Sequence, residues 1–142
     1  MTTKQADIIH CIDDVPSEAW NLCANPGEKT NYNPFLRHEF LSALENSRSV
    51  SPETGWQPFH VVLKEEGEIL GTVPLYLKNH SQGEYVFDHS WADALHRAGG
   101  NYYPKLQASI PFTPATGRRL LTKYVSSDIE SLLLKSCLAL CE

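Results

Sequence analysis

The chain has 142 residues, 42% of them hydrophobic and 20% charged, with a formal net charge of −5. A chain of that length buries a core without a metal or disulfide staple, and the composition excludes disorder. Its 17 acidic residues outnumber its 12 basic ones and no basic block stands out, which argues against a duplex nucleic-acid partner.

In chain order, Asp7–Ile12 reads as a short opening strand. Pro16-Ser17 then starts a helix carrying Trp20, Leu22 and Cys23, which Asn25-Pro26-Gly27 ends. A second helix is predicted from Asn33 as cap and Pro34 in the first turn, with Leu36, Phe40, Ala43 and Leu44 on one apolar face. Trp56–Lys64 and Glu68–Lys78 are β-rich runs joined at Glu65-Glu66-Gly67, where Gly67 suits a tight hairpin turn. Pro74 inside the second run predicts an edge position or a bulge. Glu84–Asp88 is a further short strand, and Asp88 or Ser90 caps a helix that runs through Ala98 to Gly99-Gly100. Lys105–Phe112 is a strand, followed by the loop Thr113–Arg119. The last helix, Asp128–Cys141, opens on a capping box of Ser127 and Glu130. Its leucines cover much of its circumference and predict burial on more than one side. Helices, a hairpin, a strand and a helix in that order describe an α/β chain of α+β layout, in one domain, with its last layer expected beyond residue 142. A homo-oligomer or a further half of the protein would complete it.

Met1–His10 carries no apolar run of the kind an export signal needs, and no later stretch approaches membrane-spanning length. A cytoplasmic protein is the expectation. Cys11, Cys23, Cys137 and Cys141 form no Cys-x-x-Cys and no zinc-ribbon spacing, so reduced thiols and no structural metal are expected.

Candidate chemistry concentrates between Tyr85 and Leu121. In a helix, His89, Asp93 and His96 fall at spacings of four and three on one face, which suits a base or a metal; a solvated face capped by Asp88 is the alternative. Asp88, His89 and Asp93 are the acid–base candidates. Trp91, Tyr102 and Tyr103 either line an acceptor groove or are core and rim aromatics. In the loop, Thr113, Thr116, Gly117, Arg118 and Arg119 supply hydroxyls, a close backbone approach and charge for a phosphate, or else form a polar connection.

Six blocks lie in one order: Asn33-Pro34-Phe35-Leu36, Val73-Pro74-Leu75-Tyr76-Leu77-Lys78, Gly83-Glu84-Tyr85-Val86-Phe87-Asp88, Trp91-Ala92-Asp93, Tyr102-Tyr103-Pro104-Lys105-Leu106-Gln107 and Pro111-Phe112-Thr113-Pro114-Ala115-Thr116-Gly117. Together they resemble the FemAB-like family of peptidoglycan-biosynthesis-type N-acyltransferases. The resemblance implies an acyl-CoA N-acyltransferase (GNAT-like) fold, of which this chain matches the N-terminal half. It implies amide formation between an activated acyl or aminoacyl donor, acyl-CoA or aminoacyl-tRNA, and a small-molecule or peptide amine, with no tightly bound cofactor. In that fold the donor lies where two strands splay. Lys105–Phe112 would be the first of them, and the second is expected after the last helix. A non-catalytic half serving as a binding or pairing module is the rival reading.

Overall fold

The computed structural model describes residues 2–27 and 31–142. Two antiparallel sheets carry the fold, with strand orders β1-β3-β4-β7 and β2-β5-β6. β1 (Lys4–Ile9) pairs along its whole length with β3 (His60–Glu65), from Lys4 opposite Glu65 to Ile9 opposite His60. The opening strand therefore ends three residues before the expected Ile12. Ile12–Asp14 instead turns as a 3-10 helix whose Ile12 enters the core.

β3 and β4 (Glu68–Val73) form the expected hairpin. Glu66 and Gly67 both have positive φ, 50° and 82°, the backbone of a two-residue turn whose twist matches its strands. Pro74 has no N–H to give a ladder, and it stands where the chain leaves the first sheet. β5 (Leu75–Lys78) begins immediately after it in the second sheet, between β2 (Gln57–Pro58) and β6 (Lys105–Ala108). The predicted run Glu68–Lys78 is thus two strands in two sheets.

The first sheet is covered on both faces, and side-chain alternation along β3 supplies both. Val62 joins Trp20, Cys23, Leu36, Leu41 and Leu121 beneath α1 (Ser17–Ala24) and α2 (His38–Asn46). Val61 and Leu63 face the other way, with Ile129 and Leu133 of α4 (Ser127–Ala139). Gly71 in β4 lets α4 approach: a Cβ there would lie 2.9 Å from Leu133 Cδ1 and 3.1 Å from Ile129 Cγ2.

Several sequence expectations are corrected. The helix predicted from Asn33 is divided. Asn33 does cap, accepting from Phe35 N at 3.0 Å, but the turn it caps is a 3-10 segment, Pro34–Leu36, and α2 starts separately at His38. Glu84–Asp88 is a loop, because no strand offers it a ladder partner; its Glu84 and Asp88 side chains bond to Lys105 instead. The strand from Lys105 ends at Ala108, and β7 (Leu121–Thr122) follows the loop to pair with β4. Ser126, not Ser127, caps α4, with its hydroxyl accepting from Ile129 N at 3.3 Å. α4 buries one face only. Leu133 is inside, while Leu134 and Leu138 stay 50% and 57% exposed because the sheet reaches just one side of the helix.

Candidate active site

β5 and β6 pair so that Lys78 stands opposite Lys105. Two like charges directly across a ladder repel, so carboxylates must gather near them. They come from the loop after β5. Lys105 Nζ donates to Glu84 at 2.7 and 3.1 Å, to Ser81 Oγ at 3.0 Å, and to Asp88 Oδ2. Lys78 is fully buried; its Nζ donates to Gln82 O at 3.0 Å, lies 3.8 Å from Glu84, and sits 3.4 Å over the Trp56 ring. Burial lowers the Lys78 pKa to about 8 despite the pull of Glu84.

Asp88 occupies the N-cap position of α3 (His89–Arg97) but makes no side-chain cap bond. Its Oδ2 accepts instead from Lys105 and, at 2.6 Å, from the Tyr102 hydroxyl. Burial alone would raise the Asp88 pKa; the hydrogen bonds and charge around it, led by Lys105, hold it well below the ordinary carboxylate range. The same bond to Asp88 raises Tyr102 to about 12. Asp88 Oδ1 is buried with no hydrogen-bond partner, an acceptor still open. The Tyr103 hydroxyl reaches Ser81 Oγ at 2.5 Å, and both tyrosine rings flank Lys105 at 5.6 and 5.8 Å.

Of the other acid–base candidates, His89, Asp93 and His96 are exposed on α3, where His89 stacks on Phe87; Trp91 is 73% exposed. Asp88, Tyr102 and Tyr103 therefore come together, and His89, Asp93 and Trp91 stay on the outer helix face. No group of three or more His, Cys, Asp or Glu gathers as a metal site among the described residues.

The loop after β6 divides two depressions. A groove of about 590 Å³ lies between Asn33–Leu36 and Ala115–Arg118. A cleft of about 290 Å³ lies on the other side, walled by Gly83–Val86 and by Ile110 to Thr116, with Trp56 and Arg119 in its lining. Ala115 and Thr116 border both. The two loop arginines part company here. Arg118 donates to Cys23 O and Ala24 O at 3.3 and 3.2 Å, satisfying carbonyls at the end of α1. Arg119 faces the cleft and bonds Ala115 O at 2.8 Å. Gly117 is needed for contact: a Cβ would lie 2.6 Å from Asn33 Nδ2.

Sequence comparison places this geometry in a family: residues 11–142 match the FemAB-like family, described as peptidoglycan biosynthesis/recognition. The chain belongs to the FemAB-like family. No curated protein and no solved structure matches it. The FemAB-like match takes in both depressions and the whole Lys105 cluster, and extends on either side of the six blocks that signalled the resemblance. No helix among the described residues is long and apolar enough to cross a membrane.

The sequence reading missed Lys105, Glu84, Ser81 and Lys78. Lysines ending strands pass as solvated, and only the register that sets Lys78 against Lys105 shows that both need carboxylates.

Proposed function

We propose that this FemAB-like chain carries out amide-forming acyl transfer to an amine in peptidoglycan synthesis. One observation carries the reading: two depressions meet at Ala115–Thr116, and the smaller is walled by Glu84 of the carboxylate cluster. That is the layout a two-substrate transferase requires, with the reacting groups brought together at a shared rim. The donor, an acyl-CoA or an aminoacyl-tRNA, lies in the larger groove along Thr116, Gly117 and Arg118. The amine enters the smaller cleft beside Glu84, a carboxylate of its lining; Asp88 lies behind that wall and is joined to Glu84 through Lys105.

The amine nitrogen attacks the acyl carbonyl carbon, forming the C–N bond. The C–S bond of a thioester or the C–O bond of an aminoacyl ester breaks as the tetrahedral intermediate collapses. The proton lost by the amine passes through solvent to the leaving thiol or hydroxyl. Asp88, held well below the ordinary carboxylate range, is too weak a base to take that proton; it positions Glu84 through their shared partner Lys105. Backbone N–H groups of the Thr113–Arg119 loop stabilise the oxyanion. On this reading the chain is one domain of GNAT-like type.

Incubation with acyl-CoA or aminoacyl-tRNA and small or peptide amines, followed by mass spectrometry, tests the reaction. Amide product from either donor class supports it. Donor and amine binding without product under any donor leaves recognition without chemistry, the non-catalytic reading.

A further inference from the structure

The smaller cleft contains two hydrogen-bond donors that lack what they need. Trp56 is 1% exposed and its Nε1–H has no partner, whereas the equally buried Trp20 donates its indole N–H to Leu36 O at 2.9 Å. An orphaned buried donor is costly, about 1–3 kcal/mol, and is rare enough to call for a reason. Gly83 passes beside it: a Cβ there would lie 3.0 Å from Trp56 Nε1 and 2.5 Å from Phe112 Cε1, so no side chain can stand between the cleft wall and the indole. The second donor is Arg119. Its guanidinium is half-buried and bonds only backbone carbonyls, Arg118 O at 3.1 Å and Ala115 O at 2.8 Å. Among the described residues no carboxylate lies within ion-pair distance of it. Burial lowers its pKa, the sign of a cation without a counter-charge.

Both donors ask for oxygen, and a guanidinium asks for an anionic one, which it binds bidentately when the oxygens are those of a carboxylate. A dianion suits this cleft less well. Among the described residues Arg119 is the single cation in its lining, and Glu84 in the same lining repels a second negative charge. The remaining lining mixes apolar Ile110, Phe112 and Pro114 with the uncharged polar Gln107, Ser109 and Thr113, and about 290 Å³ fits an amino acid or a dipeptide rather than a nucleotide.

We propose that this cleft is a carboxylate-recognition subsite, in which Arg119 pairs with the terminal carboxylate of an amino-acid- or dipeptide-sized ligand and Trp56 Nε1–H donates to one of its oxygens. This deepens the acyl-transfer reading by naming the amine acceptor as one that carries a carboxylate, and it rests on that reading only for the acceptor role. Binding itself is separable from turnover.

The test follows the indole N–H resonances by nitrogen-15 NMR; the chain has three tryptophans, and Trp56→Phe assigns the signal. Titration with N-acetyl-alanyl-alanine is expected to shift the Trp56 indole peak and leave that of Trp20 in place. Its C-terminal carboxamide is expected to bind at least about tenfold more weakly, since a charge-assisted contact is lost. Inorganic phosphate is expected to produce no saturable shift. Arg119→Gln should match the carboxamide loss, and Arg119→Lys should restore part of the affinity. Equal binding of acid and amide to the unaltered protein would overturn the inference without any variant. So would tighter binding of phosphate, or a Trp56 signal that never moves. Should the acyl-transfer assay fail while the acid–amide contrast holds, the subsite stands and the reaction falls.

Discussion

Replacing Lys105 with Met removes the one cation on which two carboxylates converge. Its side chain is 12% exposed, with Glu84 and Asp88 at 5% and 19%. Deleting one partner of a buried ion pair costs about 3–5 kcal/mol, because a charge is left behind without compensation. The residual exposure at Asp88 lets solvent recover part of that, so Lys105→Met should lose about 2–4 kcal/mol at neutral pH. For a chain of this size the loss corresponds to a fall in Tm on the order of 6–12 °C. The pH dependence is the sharper check. In the unaltered protein Asp88 has a depressed pKa, so its stabilisation is present above the unfolded value near 3.9 and disappears as pH falls through the lower folded value. Lys105→Met lacks that contribution, and the two stability curves should converge as pH drops below about 4. Urea melts at pH 7 and at steps from pH 4 down to pH 2 measure both effects. A loss under about 1 kcal/mol that does not change with pH would refute the argument that Lys105 holds the loop after β5 electrostatically.

Other expectations follow from the same contacts. Glu45 accepts from Ile12 N at 2.9 Å and bonds His60 Nε2 at 3.0 Å, while His60 Nδ1 accepts from Leu75 N at 3.2 Å, which places the proton on Nε2; Glu45→Ala should cost about 3 kcal/mol in denaturant melts. Lys78 carries a lowered pKa, so its burial penalty is constant below about 8 and is relieved as pH rises toward the unfolded value near 10.4. Stability should therefore rise across that window by up to about 3 kcal/mol, and Lys78→Met should flatten the rise. Gly71→Val should destabilise by about 1–3 kcal/mol, because its side chain meets Leu133 and the Leu121 carbonyl, where a Cβ alone is already 3.1 Å from the oxygen. Leu138→Glu should leave stability within about 0.5 kcal/mol and reduce self-association in sedimentation velocity, since Leu138 is 57% exposed.

Elements whose signal is local were legible in the sequence. Gly67 marked the hairpin, Pro16 and Asn25-Pro26-Gly27 bounded α1, and Gly99 closed α3 with φ 85°. Elements set by distant partners were not. Glu84–Asp88 has strand-like residues but its carboxylates are drawn to Lys105, and Asp88 gives up its cap role for the same reason. Pro74 warned of an irregularity without saying that the chain changes sheets there. At the site, aromatic and acidic density pointed to Asp88, Tyr102 and Tyr103, while helical spacing picked out His89 and Asp93, which share a face of α3 but touch nothing in the cluster. Arg118 and Arg119 looked equivalent as neighbours; one ends a helix and the other lines a cleft.

The central claim is that an amine held beside Glu84 in the smaller cleft is acylated at the rim shared by the two depressions. Its most direct test is the rate of amide formation in the unaltered protein and in Glu84→Gln, with donor binding measured in parallel. The account predicts that the variant folds, retains donor affinity, and loses at least about tenfold in rate through a weaker hold on the amine. Equal rates in the two proteins would contradict it.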